Sequence, residues 1–262
     1  MTTGSYDGFA IDLDGVVWLS HEPIEGSARA IQRLRGTGHA VVFVSNDPRS
    51  TRAELAARLS SIGAPTDPDD VLTSGSTAAA SLAEAHSGAA VLVVGTESLG
   101  EELRERGLLP LFPSQADGRA VNAVVVGGGD FDQDALRVAT AAVRCGAELW
   151  ATNKDPTYPT PDGLAPGTGA IVAAIEVASG TAARNVGKPE PALFEAAQAR
   201  LGANRPLMAG DSLHSDIGGA ARVGMSTALI LTGRDTRADI AAAERAPDLV
   251  FDDLSALADA LI

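Results

Sequence analysis

Phe9-Ala10-Ile11-Asp12-Leu13-Asp14-Gly15-Val16-Val17 is an apolar run that closes on two aspartates one residue apart, with a glycine directly after the second. Strand side chains alternate between faces, so Asp12 and Asp14 share a face if the strand continues as far as Asp14. Two carboxylates held that way repel, and either one pKa rises or a cation neutralises the pair. The rest of the chain is best read as the supply of that cation and of whatever the pair acts upon.

Outward from this stretch, apolar runs and helical patterns alternate. His39–Val44 is nearly continuous in apolar residues, the mark of a strand buried on both faces of a parallel sheet, and it ends in Ser45-Asn46-Asp47. Glu25–Arg35 and Thr51–Ile62 have helical spacing, with Thr51 and Glu54 at capping-box distance. Val71–Ser74 leads into an Ala-rich helix ending near His86. The strands Ala90–Gly95, Val121–Val126 and Glu148–Thr152 then alternate with helices near Thr96–Arg106 and Asp132–Cys145. A Pro/Gly-rich loop, Asn153–Gly169, interrupts the rhythm before a helix at Ala170–Ser179. Val186-Gly187-Lys188-Pro189, a helix from Pro191 to Leu201, and a short strand Pro206–Gly210 ending in Asp211 open the last stretch. Ser212–Asp216 leads into a helix around Ile217–Val223, and Thr227–Leu231 and Leu249–Phe251 supply further strands. Alternation of this kind predicts βα units and an α/β fold with a largely parallel, Rossmann-like sheet.

Composition narrows the partners. At 262 residues, 45% hydrophobic and 21% charged, the chain reads as globular and able to bury a large core. No apolar run approaches a membrane span, and Met1–Ala10 lacks the layout of a signal peptide, so the expected location is cytoplasmic. A formal net charge of −14 argues against nucleic acid or an anionic membrane as partner; an anionic substrate must be drawn by a local site. Of 20 basic residues only Lys154 and Lys188 are lysines; a coding bias toward Arg accounts for the imbalance, and against that bias a surviving lysine is the more expected where a compact ammonium is needed. The single cysteine, Cys145, reads as a small packing residue. Gly127-Gly128-Gly129 does not fit G-x-G-x-x-G, and no Walker A sequence is present.

Three predicted strand ends carry polar residues: Asp12 with Asp14, Ser45 with Asn46, and Asp211 followed by Asp216. Ligands of open α/β sheets bind outside the carboxyl ends of strands, so the three can share one crevice. Ser215 and Asp216 alone would read equally well as helix caps. With Asp12 and Asp14, however, Asp211 and Asp216 make up to four carboxylates without histidine or thiol, a donor set that favours Mg2+ over zinc. A phosphate monoester suits such a site. Ser45 can donate a hydrogen bond, Lys188 adds a point charge, Asp12 can attack phosphorus, and Asp14 can carry a proton.

In order and strand-end placement, Asp12-Leu13-Asp14-Gly15-Val16, Ser45-Asn46, Gly187-Lys188-Pro189 and Gly210-Asp211 through Asp216-Ile217 resemble the four motifs of the haloacid dehalogenase-like phosphohydrolases. About 30 residues separate Asp14 from Ser45 and about 140 separate Ser45 from Lys188, so the long insertion resembles the α/β cap of the NagD and 4-nitrophenyl phosphatase branch. Asn153–Pro159 followed by Gly167-Thr168-Gly169 is similar to that branch's cap loop. The resemblance implies a Rossmann-like core at 1–80 and 182–262 and a smaller α/β cap at 81–181. It implies Asp12 as nucleophile and Asp14 as acid/base. Mg2+ would be held by Asp12, the main-chain carbonyl of Asp14 and Asp211, with Asp216 beside them or acting through water, and phosphate by Ser45, the Asn46 backbone and Lys188. Asn153 and Asp155 read either as turn-formers of this Pro/Gly-rich loop or as residues that meet the substrate from the cap. Asp47 departs from the asparagine many relatives carry, and is expected to cap the next helix; His214 is expected at the surface or behind the metal site. The implied substrate is a small phosphorylated metabolite, a glycerol phosphate or phosphoglycolate first and a nucleoside monophosphate second, and homodimers formed through the cap are compatible with the branch. Two rivals remain: a dehalogenase, which needs no acid at Asp14, and a phospho-accepting receiver module, which has about half this length.

Overall fold

Alternate residues of the first strand go to different cores, as the period of a strand requires. The computed structural model describes residues 6–20, 22–160 and 163–262. Met1–Ser5 of the N-terminal stretch, and Pro161 and Asp162 of the Pro/Gly-rich loop, therefore lie outside the described residues. Strand Gly8–Asp12 is buried throughout: Phe9 and Ile11 pack with Leu34, Phe43, Leu59 and Leu257, whereas Ala10 packs with Val42, Phe194 and Met208 on the other face. It is paired in parallel with Ala40–Ser45 on one side and with Pro206–Gly210 on the other. The sheet runs Leu249–Phe251, Ser226–Ile230, Pro206–Gly210, Gly8–Asp12, Ala40–Ser45, Val71–Thr73. Its register sets Asp12 opposite Val44 and Ile11 opposite Ala209, so Asp12, Ser45 and the Gly210–Asp211 step emerge at one edge.

The chain divides into two compact units. The first comprises residues 1–45, 52–72 and 188–262, and the second 46–51 and 73–187. The second has its own five-stranded parallel sheet, in the order Arg184–Asn185, Glu148–Ala151, Ala123–Val126, Ala90–Val94, Leu109–Leu111. Val91, Val93, Val125 and Trp150 face the helices Ser74–Ala85 and Glu97–Glu105; Leu92, Val94, Val124 and Leu149 face Gln133–Arg144 and Thr168–Ser179. The seams fall at 72/73 and 187/188, not at 80/81 and 181/182. The physical reason is packing: Ala78, Ala79 and Leu82 of the Ser74–Ala85 helix belong to the second core, and Arg184–Asn185 completes the second sheet. Among the described residues no helix is long and apolar enough to cross a membrane.

The structure departs from the pattern read in the sequence at several places, the strand Leu109–Leu111 and the closing helix Leu254–Leu261 being elements that reading lacks. Within the Pro/Gly-rich stretch, Thr157–Thr160 and Gly163–Pro166 pair as an antiparallel hairpin, a two-stranded ladder whose edges tolerate proline. Cys145 is exposed instead of packed. The helix ends at Arg144, and Gly146, at a φ of +104°, turns the chain away so that Cys145 stays outside the core.

Candidate active site

The strand that carries Asp12 stops there, and this separates the two opening aspartates. The N–H groups of Val17 and Trp18 both donate to the Leu13 carbonyl, at 2.8 and 3.2 Å, and Gly15 N–H donates to the Trp18 carbonyl at 2.8 Å. Gly15 sits at a φ of +84°, and a Cβ there would overlap the Asp211 carboxylate, so glycine is required for both conformation and space. Asp12 is buried, while Asp14, on the tight turn, is exposed. The predicted shared face ends with the strand.

Asp12 instead meets carboxylates from the far end of the chain. Oxygens of Asp12, Asp211 and Asp216 lie within 4.8 Å of one another. Lys188 Nζ, 3% exposed, sits 2.7 Å from Asp12 Oδ1 and 2.7 Å from Asp216 Oδ1. Asp216 is placed by a wide π-helical turn, Leu213–Gly218, in which Ser212 accepts main-chain hydrogen bonds from Asp216 and Ile217. Ser212 N–H donates to Asp216 Oδ2 at 3.0 Å, and Ser212 Oγ accepts from Ser215 N–H at 3.2 Å. Ser212 is therefore the cap, and Asp216, fully buried, points into the cluster. Glycine at 210 makes this possible, because a Cβ there would overlap the Asp216 side chain.

Three carboxylates share one ammonium in a buried place. Burial above all, with Asp216 and Asp211 adding repulsion, holds the Asp12 carboxyl well above its usual range, although Lys188 pulls it down. Burial and the neighbouring Asp216 push Asp211 up to about 7, against the N–H of Arg234. Burial lowers the Lys188 pKa, but Asp12 and Asp216 more than reverse this, and the ammonium stays charged. The shortfall of positive charge, and the all-oxygen donor set, fit a hard divalent cation; the Asp14 carboxylate is not among the donors that converge.

Ser45, 2% exposed, ends the strand beside Asp12. Lys154, the other lysine, is an ordinary surface partner of Glu176 at 2.7 Å. In the second unit the Asn46 carbonyl accepts from Asn153 Nδ2 and from Ser74 Oγ, each at 2.7 Å. Asn46 Nδ2 donates to Asp155 Oδ2 at 3.0 Å, and Asn153 Oδ1 accepts from Asp155 N–H at 3.1 Å. Asn153 and Asp155 thus fasten Asn46. Asp47 takes the Arg49 guanidinium in two hydrogen bonds of 2.7 and 2.8 Å, and that guanidinium lies 4.7 Å over the Tyr158 ring. The following helix starts only at Arg52, too far on for Asp47 to be its N-cap. His214 is exposed. Sequence reading missed the Thr232–Asp235 segment, which reaches Asp211 through Arg234 N–H at 2.7 Å; its signal would have been a Thr-Gly pair at a fourth strand end.

The haloacid dehalogenase-like hydrolase model matches residues 9–109, and a HAD-hydrolase-like model matches 185–257. The D-glycerol 3-phosphate phosphatase of Mycobacterium tuberculosis is 37% identical over 96% of this chain and 71% of its own. Human chronophin is 40% identical over 88% of this chain and 82% of its own. Among solved structures, the p-nitrophenyl phosphatase from Archaeoglobus fulgidus superposes with a TM-score of 0.90 at 31% identity, covering 98% of this chain and 100% of that one. The glycerol phosphate phosphatase of Mycobacterium tuberculosis in complex with magnesium gives 0.89 at 37% identity, covering 97% and 77%. Matches of this extent, over segments that include Asp12 in one and Lys188, Asp211 and Asp216 in the other, make the chain a member of the haloacid dehalogenase-like hydrolases.

Proposed function

We propose that the protein is a Mg2+-dependent phosphatase that hydrolyses a small phosphate monoester through an aspartyl phosphate on Asp12. The observation that carries this reading is the buried trio Asp12, Asp211 and Asp216 with Lys188 bridging two of them. Asp12, Asp211, Asp216 and the main-chain carbonyl of Asp14 would hold Mg2+, which, when bound, offsets the negative charge of carboxylates and phosphate and keeps Asp12 ionised. Ser45, the Asn46 main chain and Lys188 hold the phosphate oxygens. Asp12 then attacks phosphorus as the bond to the ester oxygen breaks. Asp14, exposed and apart from the trio, gives its proton to the leaving oxygen. Water deprotonated by Asp14 next attacks the phosphorus of the aspartyl phosphate, releasing phosphate, restoring the Asp12 carboxylate and returning a proton to Asp14.

Relatives named D-glycerol 3-phosphate phosphatase and acid sugar phosphatase favour a small polyol or hydroxyacid phosphate, with nucleoside monophosphates second. A phosphate-release screen with glycerol phosphates, phosphoglycolate, sugar phosphates, nucleoside monophosphates and an aryl phosphate decides the class. Asp12→Asn is expected to lose about four orders of magnitude in turnover. No release with Mg2+ present, or an Asp12→Asn variant as active as wild type, would refute the assignment.

A further inference from the structure

Strand Ser226–Ile230 lies beside Pro206–Gly210 with Leu229 opposite Gly210, so the segment leaving the first emerges next to the segment leaving the second. The chain uses that adjacency densely. Thr232 Oγ1 donates to the Gly15 carbonyl at 2.5 Å. Arg234 N–H donates to Asp211 Oδ2 at 2.7 Å, and Asp235 N–H donates to the Asp211 carbonyl at 3.1 Å. In return Asp235 Oδ2 accepts from Leu213 N–H at 2.6 Å. Gly233 completes the arrangement, since a Cβ there, as at Gly15, would overlap the Asp211 carboxylate. One segment therefore ties the turn after Asp12 to the turn that carries Asp211, and the Asp211 carboxylate lies against a glycine from each side.

We propose that Thr232 and Asp235 are positioning residues for the metal site: they lock the Gly15 and Asp211–Leu213 main chains so that the Asp211 carboxylate is held in place to ligate a divalent cation. This rests on the phosphatase reading only in the choice of Mg2+ as the cation. Neither side chain touches the three clustered carboxylates. Their effect passes through main-chain hydrogen bonds, as outer partners of ligands commonly act. The side chain of Asp235 needs only to accept at Leu213 N–H, which an amide oxygen also does. The side chain of Thr232 needs only to donate at Gly15, which a serine also does.

Mg2+ binding to the intact protein, measured by calorimetry, tests this with a readout separate from turnover. Thr232→Val and Asp235→Ala are each expected to weaken Mg2+ by about tenfold or more, while Thr232→Ser and Asp235→Asn stay within about twofold of wild type. In turnover assays the first two should need correspondingly more Mg2+ for half-maximal rate, with the KM for the ester unchanged. A purely structural role would lower the melting temperature and leave Mg2+ affinity alone, and that result overturns the proposal. Should Asp235→Ala fail to fold, the near-isosteric Thr232→Val decides. A wild-type protein that releases phosphate yet gives no Mg2+ binding signal defeats this inference alone; one that binds Mg2+ but releases no phosphate from any ester defeats the function and leaves the brace testable.

Discussion

Asp12 and Asp14 stand two positions apart and have opposite surroundings: one is buried among Lys188, Asp211 and Asp216, the other exposed on a turn. In the proposed mechanism that difference divides their tasks. Replacing Asp14 by Asn should cost about 10²- to 10⁴-fold on an alkyl phosphate, whose leaving oxygen needs a proton, and much less on an aryl phosphate with a good leaving group. Equal losses on both would remove the acid role. For Asp211 the charge itself is the cost in metal-free protein. An acid whose folded pKa is raised loses stability as pH climbs from its unfolded value through its folded one, here about 7, and the penalty is complete above that. In EDTA at pH 8, Asp211→Asn should therefore melt a few degrees higher than wild type, on the order of 2–4 °C per kcal/mol relieved. At pH 5 the advantage should shrink, and added Mg2+ should raise the melting temperature of wild type but not of the variant. A variant that melts lower at pH 8 would show that the Asp211 charge is already compensated. Asp12, Lys188, Asp211 and Asp216 were legible because each sits where an apolar run stops or just beyond it. The orientation of Asp14 was not, because it turns on where the strand ends, and the glycine at 15, with its positive φ, ends it two residues early.

At the scale of the element, two residues expected to meet the substrate also hold Asn46 within the second unit. Asn153 is buried and Asp155 partly so, and their polar atoms engage Asn46 and each other at the foot of the Thr157–Pro166 hairpin. If holding Asn46 is the task of Asp155, Asp155→Asn keeps an acceptor for Asn46 Nδ2 and should leave kcat/KM within about twofold for every ester, whereas Asp155→Ala should cost on the order of 1 kcal/mol in stability. A changed preference among leaving groups in Asp155→Asn would instead assign it to the substrate. Most regular strands and helices were readable from period and punctuation, but the short strand Leu109–Leu111 and the closing helix Leu254–Leu261 were not. The hairpin was hidden by its prolines and glycines, which read as loop because the stretch has no alternating apolar face. The Thr232–Asp235 segment carried no pattern, since what it does is done mostly by main-chain groups and by the absence of a Cβ at Gly233.

For the molecule as a whole, two sheets with separate cores follow from where the apolar residues are spent, and the boundary of each unit is set by which core a helix feeds, something spacing between motifs locates only to within several residues. The charge has a consequence at the same scale. With 34 acidic and 20 basic residues, the field of the whole chain repels a dianionic ester, and on the proposed reading binding comes from the buried Lys188, the cation and the strand-end donors. Those local interactions are short in range and partly shielded from solvent, whereas the repulsion acts over distances that salt screens, about 30 Å at 0.01 M and about 10 Å at 0.1 M ionic strength. Raising NaCl across that interval, with Mg2+ kept saturating so that its own binding does not change, should therefore raise kcat/KM for a glycerol phosphate by about two- to fivefold, chiefly through KM. The opposite slope, kcat/KM falling with salt, would mean that the attraction of the local site reaches solvent and outweighs the net charge.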